Sequence, residues 1–128
     1  MHTVTSLAAV LLTCNDLSSS VRFYRALGLD LKETRHGGPV HFACALSGVH
    51  FALYPDDGTE QTLQGRNQLG FMVSNLDSVL SSLKTVGARV ISPPQPKPWG
   101  ITAVVLDPDG RKLELVANHV EVSGPMPF

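Results

Sequence analysis

Residues 16–28 read DLSSSVRFYRALG, and residues 75–87 read NLDSVLSSLKTVG. The two stretches align at a constant offset of 59 residues, so that Asp16 matches Asn75 and the final glycines match each other. Apolar residues in the first stretch recur at spacings of four, three and three, which is typical of one face of a helix. Asp16 or Ser18 is a suitable helix N-cap, and a glycine is a common helix terminator. The sequence therefore predicts two helices within an internal duplication.

Apolar runs precede both helices, Leu7–Thr13 before the first and Leu69–Val73 before the second. Three stretches with the character of strands follow each helix: Leu29–Thr34, Val40–Leu46 and Val49–Tyr54 after the first, and Arg89–Ile91, Ile101–Asp107 and Lys112–Ala117 after the second. Each half then reads β-α-β-β-β. We predict an α+β fold of two tandem βαβββ modules within a single domain, with repeats at about residues 5–57 and 65–120.

A proline-rich segment separates two of the predicted strands. Residues 92–100 contain four prolines, which favour a stiff and extended backbone. We predict a rigid surface connector, and an alternative is a fixed lid that places Trp99 over a cleft.

Composition and charge exclude several classes of protein. The chain has 128 residues, 43% of them hydrophobic and 16% charged, which indicates a globular protein. A net charge of -1 argues against a nucleic-acid-binding protein, and no apolar run approaches the length of a membrane span. The two cysteines, Cys14 and Cys44, lie in apolar stretches and are expected to be thiols of a cytoplasmic protein, although a disulfide between them stays open.

Several motifs together resemble the vicinal oxygen chelate superfamily of glyoxalases, bleomycin-resistance proteins and extradiol dioxygenases. The resemblance extends from about Leu7 to Asn118. It is carried by Asn15-Asp16-Leu17 with Phe23-Tyr24, by Leu27-Gly28-Leu29, by Pro98-Trp99-Gly100, and by Asp107-Pro108-Asp109-Gly110 followed by Leu113-Glu114-Leu115. The resemblance implies a sheet curled into a cup, with helices outside and the ligand inside.

Strand alternation predicts which side chains of the first hairpin line this cup. A two-residue turn at Ser47-Gly48 pairs residue 45 with 50, 43 with 52 and 41 with 54. The more apolar set, which includes Phe42, Phe51 and Leu53, is expected to pack on the helices. The predicted cup face consists of His41, Ala43, Ala45, His50, Ala52 and Tyr54. An alternative is that both histidines are merely solvated on an open sheet.

The resemblance also implies four metal-ligand positions, which fall on Ala9, Ala52, Gln68 and Glu114. Only Glu114 is a strong ligand, whereas a transition-metal site needs at least three donors. We therefore predict a site without metal or other cofactor. A displaced metal site formed by His50, Gln68 and Glu114 is an alternative, and Glu114 could also be a solvated or salt-bridged remnant of the ligand position.

Three functions are compatible with these features. The favoured one is a homodimeric, metal-free protein that binds or sequesters a hydrophobic or aromatic small molecule in a cup at or near the dimer interface, as in bleomycin-resistance proteins. The second is a glyoxalase-like lyase or isomerase that uses Glu114 as an acid or base, or with a displaced metal. The third is an accessory subunit with only a protein contact. The predicted ligand-binding residues are His41, His50, Ala52, Tyr54, Gln68, Trp99 and Glu114.

Overall fold

The structure is a computed structural model that describes residues 2–3, 6–56 and 68–118. The chain forms two compact units, Met1–Thr62 and Leu63–Phe128. The repeat boundaries predicted at about residues 5, 57, 65 and 120 lie outside the described residues. The assignment of the whole chain to a single domain stays a prediction.

The first unit has the element order β-α-β-β-β. Its sheet has the strand order β1-β4-β3-β2, in which β1 runs parallel to β4 and the other neighbours are antiparallel. The elements are β1 (Ala9–Cys14), α1 (Leu17–Leu27), β2 (Lys32–Thr34), β3 (His41–Leu46) and β4 (Val49–Pro55).

The second unit repeats this order and pairing. Its sheet has the strand order β5-β8-β7-β6, again with a parallel pair, β5 and β8, and antiparallel neighbours. The elements are β5 (Gln68–Met72), α2 (Leu76–Thr85), β6 (Arg89–Lys97), β7 (Gly100–Leu106) and β8 (Lys112–Ala117). The predicted α+β fold of two tandem βαβββ modules is confirmed.

The two helices begin in the same way. The Asp16 carboxylate accepts a hydrogen bond from the backbone N–H of Ser19 at 3.2 Å, and the Asn75 side chain accepts one from that of Ser78 at 3.0 Å. Asp16 rather than Ser18 is therefore the N-cap of α1. Hydrogen bonds from the Ser19 side chain and backbone hold the pKa of Asp16 below its ordinary value.

Across the described residues, no helix combines the length and the apolar character that a membrane span requires.

Each helix buries one face against its own sheet. The Tyr24 side chain of α1 is fully buried, with its ring centroid 5.5 Å from that of Phe51 on β4. The equivalent residue of α2 is Leu83, which is also fully buried, as are Leu113 and Leu115 of β8. Tyr24 thus identifies the face of β4 that α1 covers, and the repeat assigns the Leu113 and Leu115 face of β8 to α2.

The predicted proline-rich connector is wrong in its boundaries, because β6 continues through it to Lys97. Proline has no N–H to donate, so within sheets it is tolerated on edge strands and at bulges. β6 meets both conditions, since among the described strands it pairs with β7 alone and its register shifts twice between Val90 and Gln95. The extended backbone expected of the prolines is thus retained in a sheet edge.

A buried ion pair fixes the turn between β7 and β8. The Asp107 carboxylate accepts hydrogen bonds of 2.9 Å from the backbone N–H of Asp109, the backbone N–H of Arg111 and the Arg111 guanidinium. Asp107 and Arg111 are 4% and 3% exposed. These three hydrogen bonds therefore stabilise the connection that sets β8 beside β7.

We predict that Asp107→Ala lowers the free energy of unfolding by about 3 kcal/mol, because it removes the 2.9 Å carboxylate partner of the buried Arg111 charge and leaves the longer 3.6 Å contact to Asp109. The matched control is Asp30→Ala, which removes an ion pair to Lys32 whose side chains are 85% and 75% exposed. Exposed pairs contribute about 0–1 kcal/mol. Urea unfolding measures both, and equal losses in the two variants would contradict the assigned role of Asp107.

Candidate functional site

The face of each sheet opposite its helix is called here the distal face. The hairpin pairs Ala45 with His50 and Ala43 with Ala52, which confirms the register predicted from the two-residue turn. Alternation from Phe51, which contacts the helix, then places a set of small, polar and aromatic residues on the distal face of the first sheet. The set consists of Ala9, Leu11, Thr13, His41, Ala43, Ala45, His50, Ala52 and Tyr54.

His41 and Tyr54 form a stacked pair on this face. Their ring centroids are 4.2 Å apart and their planes differ by 12°. The Nδ1 atom of His41 lies 3.1 Å from the carbonyl oxygen of Pro39. Because a carbonyl oxygen only accepts, this contact is a hydrogen bond when Nδ1 carries a proton. The stack thus fixes the orientation of the Tyr54 ring against a buried neighbour.

The predicted residues of this face differ in exposure. His41 is 4% exposed and Ala52 is fully buried, whereas Tyr54 is half-buried and His50 is exposed. A larger side chain at position 52 would displace its neighbours, since close-packed surroundings leave little free volume. Tyr54 is therefore the residue of this face whose ring is both held in place and accessible.

Glu114 lies on the distal face of the second sheet. Its strand, β8, is central, and Glu114 is flanked by Gly70 of β5 and Val104 of β7. The residue is half-buried, and its Oε2 atom is buried without a hydrogen-bond partner among the described residues. Glu114 also forms no ion pair with another described residue. The salt-bridged form of Glu114, one of the alternatives in the sequence, is therefore not found within the described residues.

Thr102 is a residue of this face that the sequence reasoning missed. It pairs with Val116 on β8, is 4% exposed, and has an Oγ1 atom that is buried without a hydrogen-bond partner in the described ranges. The sequence did contain a hint, a hydroxyl within the otherwise apolar part of the predicted strand Ile101–Asp107. Only the strand register shows that this hydroxyl lies on the same face as Glu114.

Trp99 occupies the two-residue turn between β6 and β7, where Lys97 pairs with Gly100. Gly100 has a φ of +143°, and a Cβ atom there would lie 2.7 Å from the carbonyl oxygen of Ala117. This close approach to β8 requires glycine and holds the turn in place. Trp99 lies five residues along the chain from Val104, which pairs with Glu114. Five residues of strand span about 16 Å. The structure therefore does not bring Trp99 and Glu114 together along the sheet.

The four positions that the resemblance assigns to a metal are related in pairs. Ala9 lies beside His50, two residues before Ala52, and Gln68 lies beside Lys112, two residues before Glu114. Each pair therefore shares a distal face, as the repeat predicts. The alanines supply no donor atom, and the described residues contain no cluster of three or more histidine, cysteine or acidic side chains that could hold a metal ion. These residues do not fit the metal site of the family pattern.

Burial limits the reactivity of the cysteines. Cys14 and Cys44 are both thiols rather than a disulfide, which settles the pairing left open by the sequence. Burial is the main cause that raises the pKa of the Cys44 thiol, and the negative charge of the Asp30 carboxylate raises it further. A thiol with a raised pKa holds less of the reactive thiolate.

Surface grooves beside the helices contain none of the predicted site residues. One of about 440 Å³ runs along α1 and includes Arg22, Arg25 and Phe42. The Arg25 guanidinium lies 5.4 Å from the centroid of the Phe42 ring and donates a 2.8 Å hydrogen bond to the Leu31 carbonyl. The Arg25 guanidinium therefore stabilises the first unit through its contacts with Leu31 and Phe42. A groove of about 240 Å³ lies at the start of α2.

Two solved structures share this fold over most of the chain. A glyoxylase/bleomycin resistance protein/dioxygenase domain from a Frankia species has a TM-score of 0.69 and 28% identity, covering 90% of this chain and 98% of its own. TnmS3, an antibiotic-binding protein from a Streptomyces species, has a TM-score of 0.69 and 22% identity, covering 91% and 98%.

Sequence comparison agrees with the structural comparison. An uncharacterised protein of Mycolicibacterium smegmatis is 30% identical over 104 residues, which is 81% of this chain and 86% of its own length. Residues 6–115 match the model of the Glyoxalase/Bleomycin resistance protein/Dioxygenase superfamily. This match spans both βαβββ units, and the chain therefore belongs to that superfamily.

Proposed function

We propose that this protein binds or sequesters a small hydrophobic or aromatic molecule without a metal ion. The observation that carries the proposal is the stacked pair of His41 and Tyr54, set beside the small side chains of Ala43 and Ala52. A flat ring surface next to small residues suits a planar ligand, because aromatic groups stack at centroid distances of about 4.5–7 Å. The polar ligand contacts are assigned to His50, Gln68 and Glu114.

The comparisons support this function at the level of the fold. TnmS3, which shares the fold, is an antibiotic-binding protein. The same superfamily includes enzymes, and a shared fold does not by itself decide between binding and catalysis. The absence of ligand side chains at Ala9 and Ala52 favours binding, because metal-dependent members need those donors. Trp99 is assigned as a further ligand contact at the end of its sheet.

A second candidate is a glyoxalase-like lyase or isomerase. The observation that favours it is the buried Oε2 atom of Glu114, which has no partner among the described residues and could take a proton from a substrate. The carboxylate would act as an acid or base, alone or with a metal displaced toward His50 and Gln68. Turnover that depends on Glu114 would distinguish this enzyme from a binding protein.

The proposal includes a homodimer in the cytoplasm. Leu11 on β1 and Met72 on β5 are 56% and 73% exposed, and each lies on a strand at the edge of its own sheet. Large apolar side chains on an open strand edge favour association. The two thiols suit a reducing compartment.

The ligand prediction concerns Tyr54. Acridine, a planar aromatic probe, should bind the wild-type protein, and Tyr54→Ala should weaken it about two- to tenfold, because the stacking contact is lost. Tyr54→Phe, the matched control, keeps the ring and should bind like the wild type. Fluorescence titration measures the affinities, with circular dichroism to verify folding. Equal affinity of all three proteins would place the ligand elsewhere.

The metal prediction concerns stoichiometry. Protein equilibrated with excess Zn²⁺, Ni²⁺ or Mn²⁺ and then dialysed should retain less than one equivalent, because one strong ligand position is present. Elemental analysis by mass spectrometry measures the retained metal. One tightly held equivalent that disappears in Glu114→Ala would contradict the metal-free assignment.

The assembly prediction concerns β1 and β5. The protein should be a dimer at micromolar concentration, and Leu11→Asp or Met72→Asp should raise the dissociation constant at least tenfold by placing a charge on an apolar contact. Ile91→Asp is the matched control, since Ile91 is 46% exposed on the proline-containing strand β6. Light scattering over a concentration series measures the mass. A wild-type monomer at all concentrations would overturn the dimer.

A further inference from the structure

Two polar atoms on the distal face of the second sheet are buried without hydrogen-bond partners among the described residues. They are the Oγ1 atom of Thr102 and the Oε2 atom of Glu114. Buried polar groups in folded proteins are almost always paired, and an unpaired one is strongly destabilising. Two such atoms on one face therefore indicate that a bound molecule completes their hydrogen bonds.

Strand register makes Thr102 and Glu114 neighbours on this face. Thr102 pairs with Val116, and Glu114 pairs with Val104, two residues away on each strand. Thr102 and Glu114 are thus diagonal neighbours on the same face, with Cα atoms about 7–8 Å apart. Both side chains project from that face, so a single small polar group between them can contact both oxygens.

The chemistry of the two oxygens determines which group fits. An ionised carboxylate only accepts hydrogen bonds, so the group must donate to Glu114. A hydroxyl both donates and accepts, so Thr102 can accept a second N–H from the same group. The nearest cation on this face of β8 is Lys112, which is exposed and forms no ion pair among the described residues. The negative charge of Glu114 is therefore available to a ligand.

We propose that the ligand is an aromatic compound bearing an amino group, and that Glu114 and Thr102 hold this group by charge-assisted and neutral hydrogen bonds. This inference rests on the proposed small-molecule-binding function and names its ligand class. A ligand with only carbonyl or carboxylate groups would leave Glu114 unsatisfied, so the site discriminates against it. A primary amino group has at least two N–H donors, which matches both oxygens, and its protonated form adds a positive charge.

The experiment compares 9-aminoacridine, which carries N–H donors, with acridine, which carries none at pH 8. The wild-type protein should bind 9-aminoacridine at least tenfold more tightly. Glu114→Gln should remove most of this preference, and Thr102→Val should reduce it about threefold. The matched controls are Glu33→Gln and Thr34→Val on β2, which should leave the preference unchanged.

The outcomes separate this inference from the proposed function. Binding of both compounds without preference, or a preference that survives in Glu114→Gln, overturns the inference and leaves the function standing. Failure of both compounds to bind overturns the function.

Stability without ligand gives an independent test. Thr102→Val should raise the urea midpoint of the unliganded protein, because it replaces an unpaired buried hydroxyl with a methyl group of the same shape. A lower midpoint would show that this hydroxyl is already satisfied, and would overturn the inference whatever the titrations show.

Discussion

The central strands β4 and β8 each pair on both sides, with a parallel neighbour and an antiparallel one, and this double pairing fixes the rest of each unit. A strand held from both edges cannot slip by one residue without turning its buried side chains to the other face. Phe51 is therefore committed to the helix side, in contact with Tyr24. Ala52 and Glu114 are committed to the distal face by the same constraint.

The parts of the fold that depend on local interactions could be predicted from the sequence. The N-caps and the hairpin register around Ser47-Gly48 depend on residues a few positions apart. The sequence left the first cap open between Asp16 and Ser18, and the structure selects Asp16, whereas the hairpin register is found as predicted. The extent of β6 could not be predicted in this way. Its prolines argue against a strand, and only the pairing with β7, a non-local contact, makes them acceptable at a sheet edge.

The site was less predictable than the fold, because burial depends on strand order. The alternation rule places Ala52 and Glu114 on the correct face, but it does not reveal that Ala52 is fully buried or that one oxygen of Glu114 is buried without a described partner. Thr102 shows the same limit, since a threonine in a strand is ordinary until its cross-strand neighbours are known. Membership in the superfamily narrows the candidates to binding and a few types of catalysis, and the donor groups of this chain then favour binding.

The prolines of β6 have a consequence for how the protein behaves in concentrated solution. An unpaired strand edge is a template for another chain, and sheets with such edges are prone to aggregate. Pro93, Pro94 and Pro96 lack the N–H groups that an incoming strand would need, and the register shifts twist this edge further. β6 is thereby protected against strand addition, whereas β1 and β5 have no such protection among their described residues. In the second sheet, the prolines thus confine strand addition to the β5 edge.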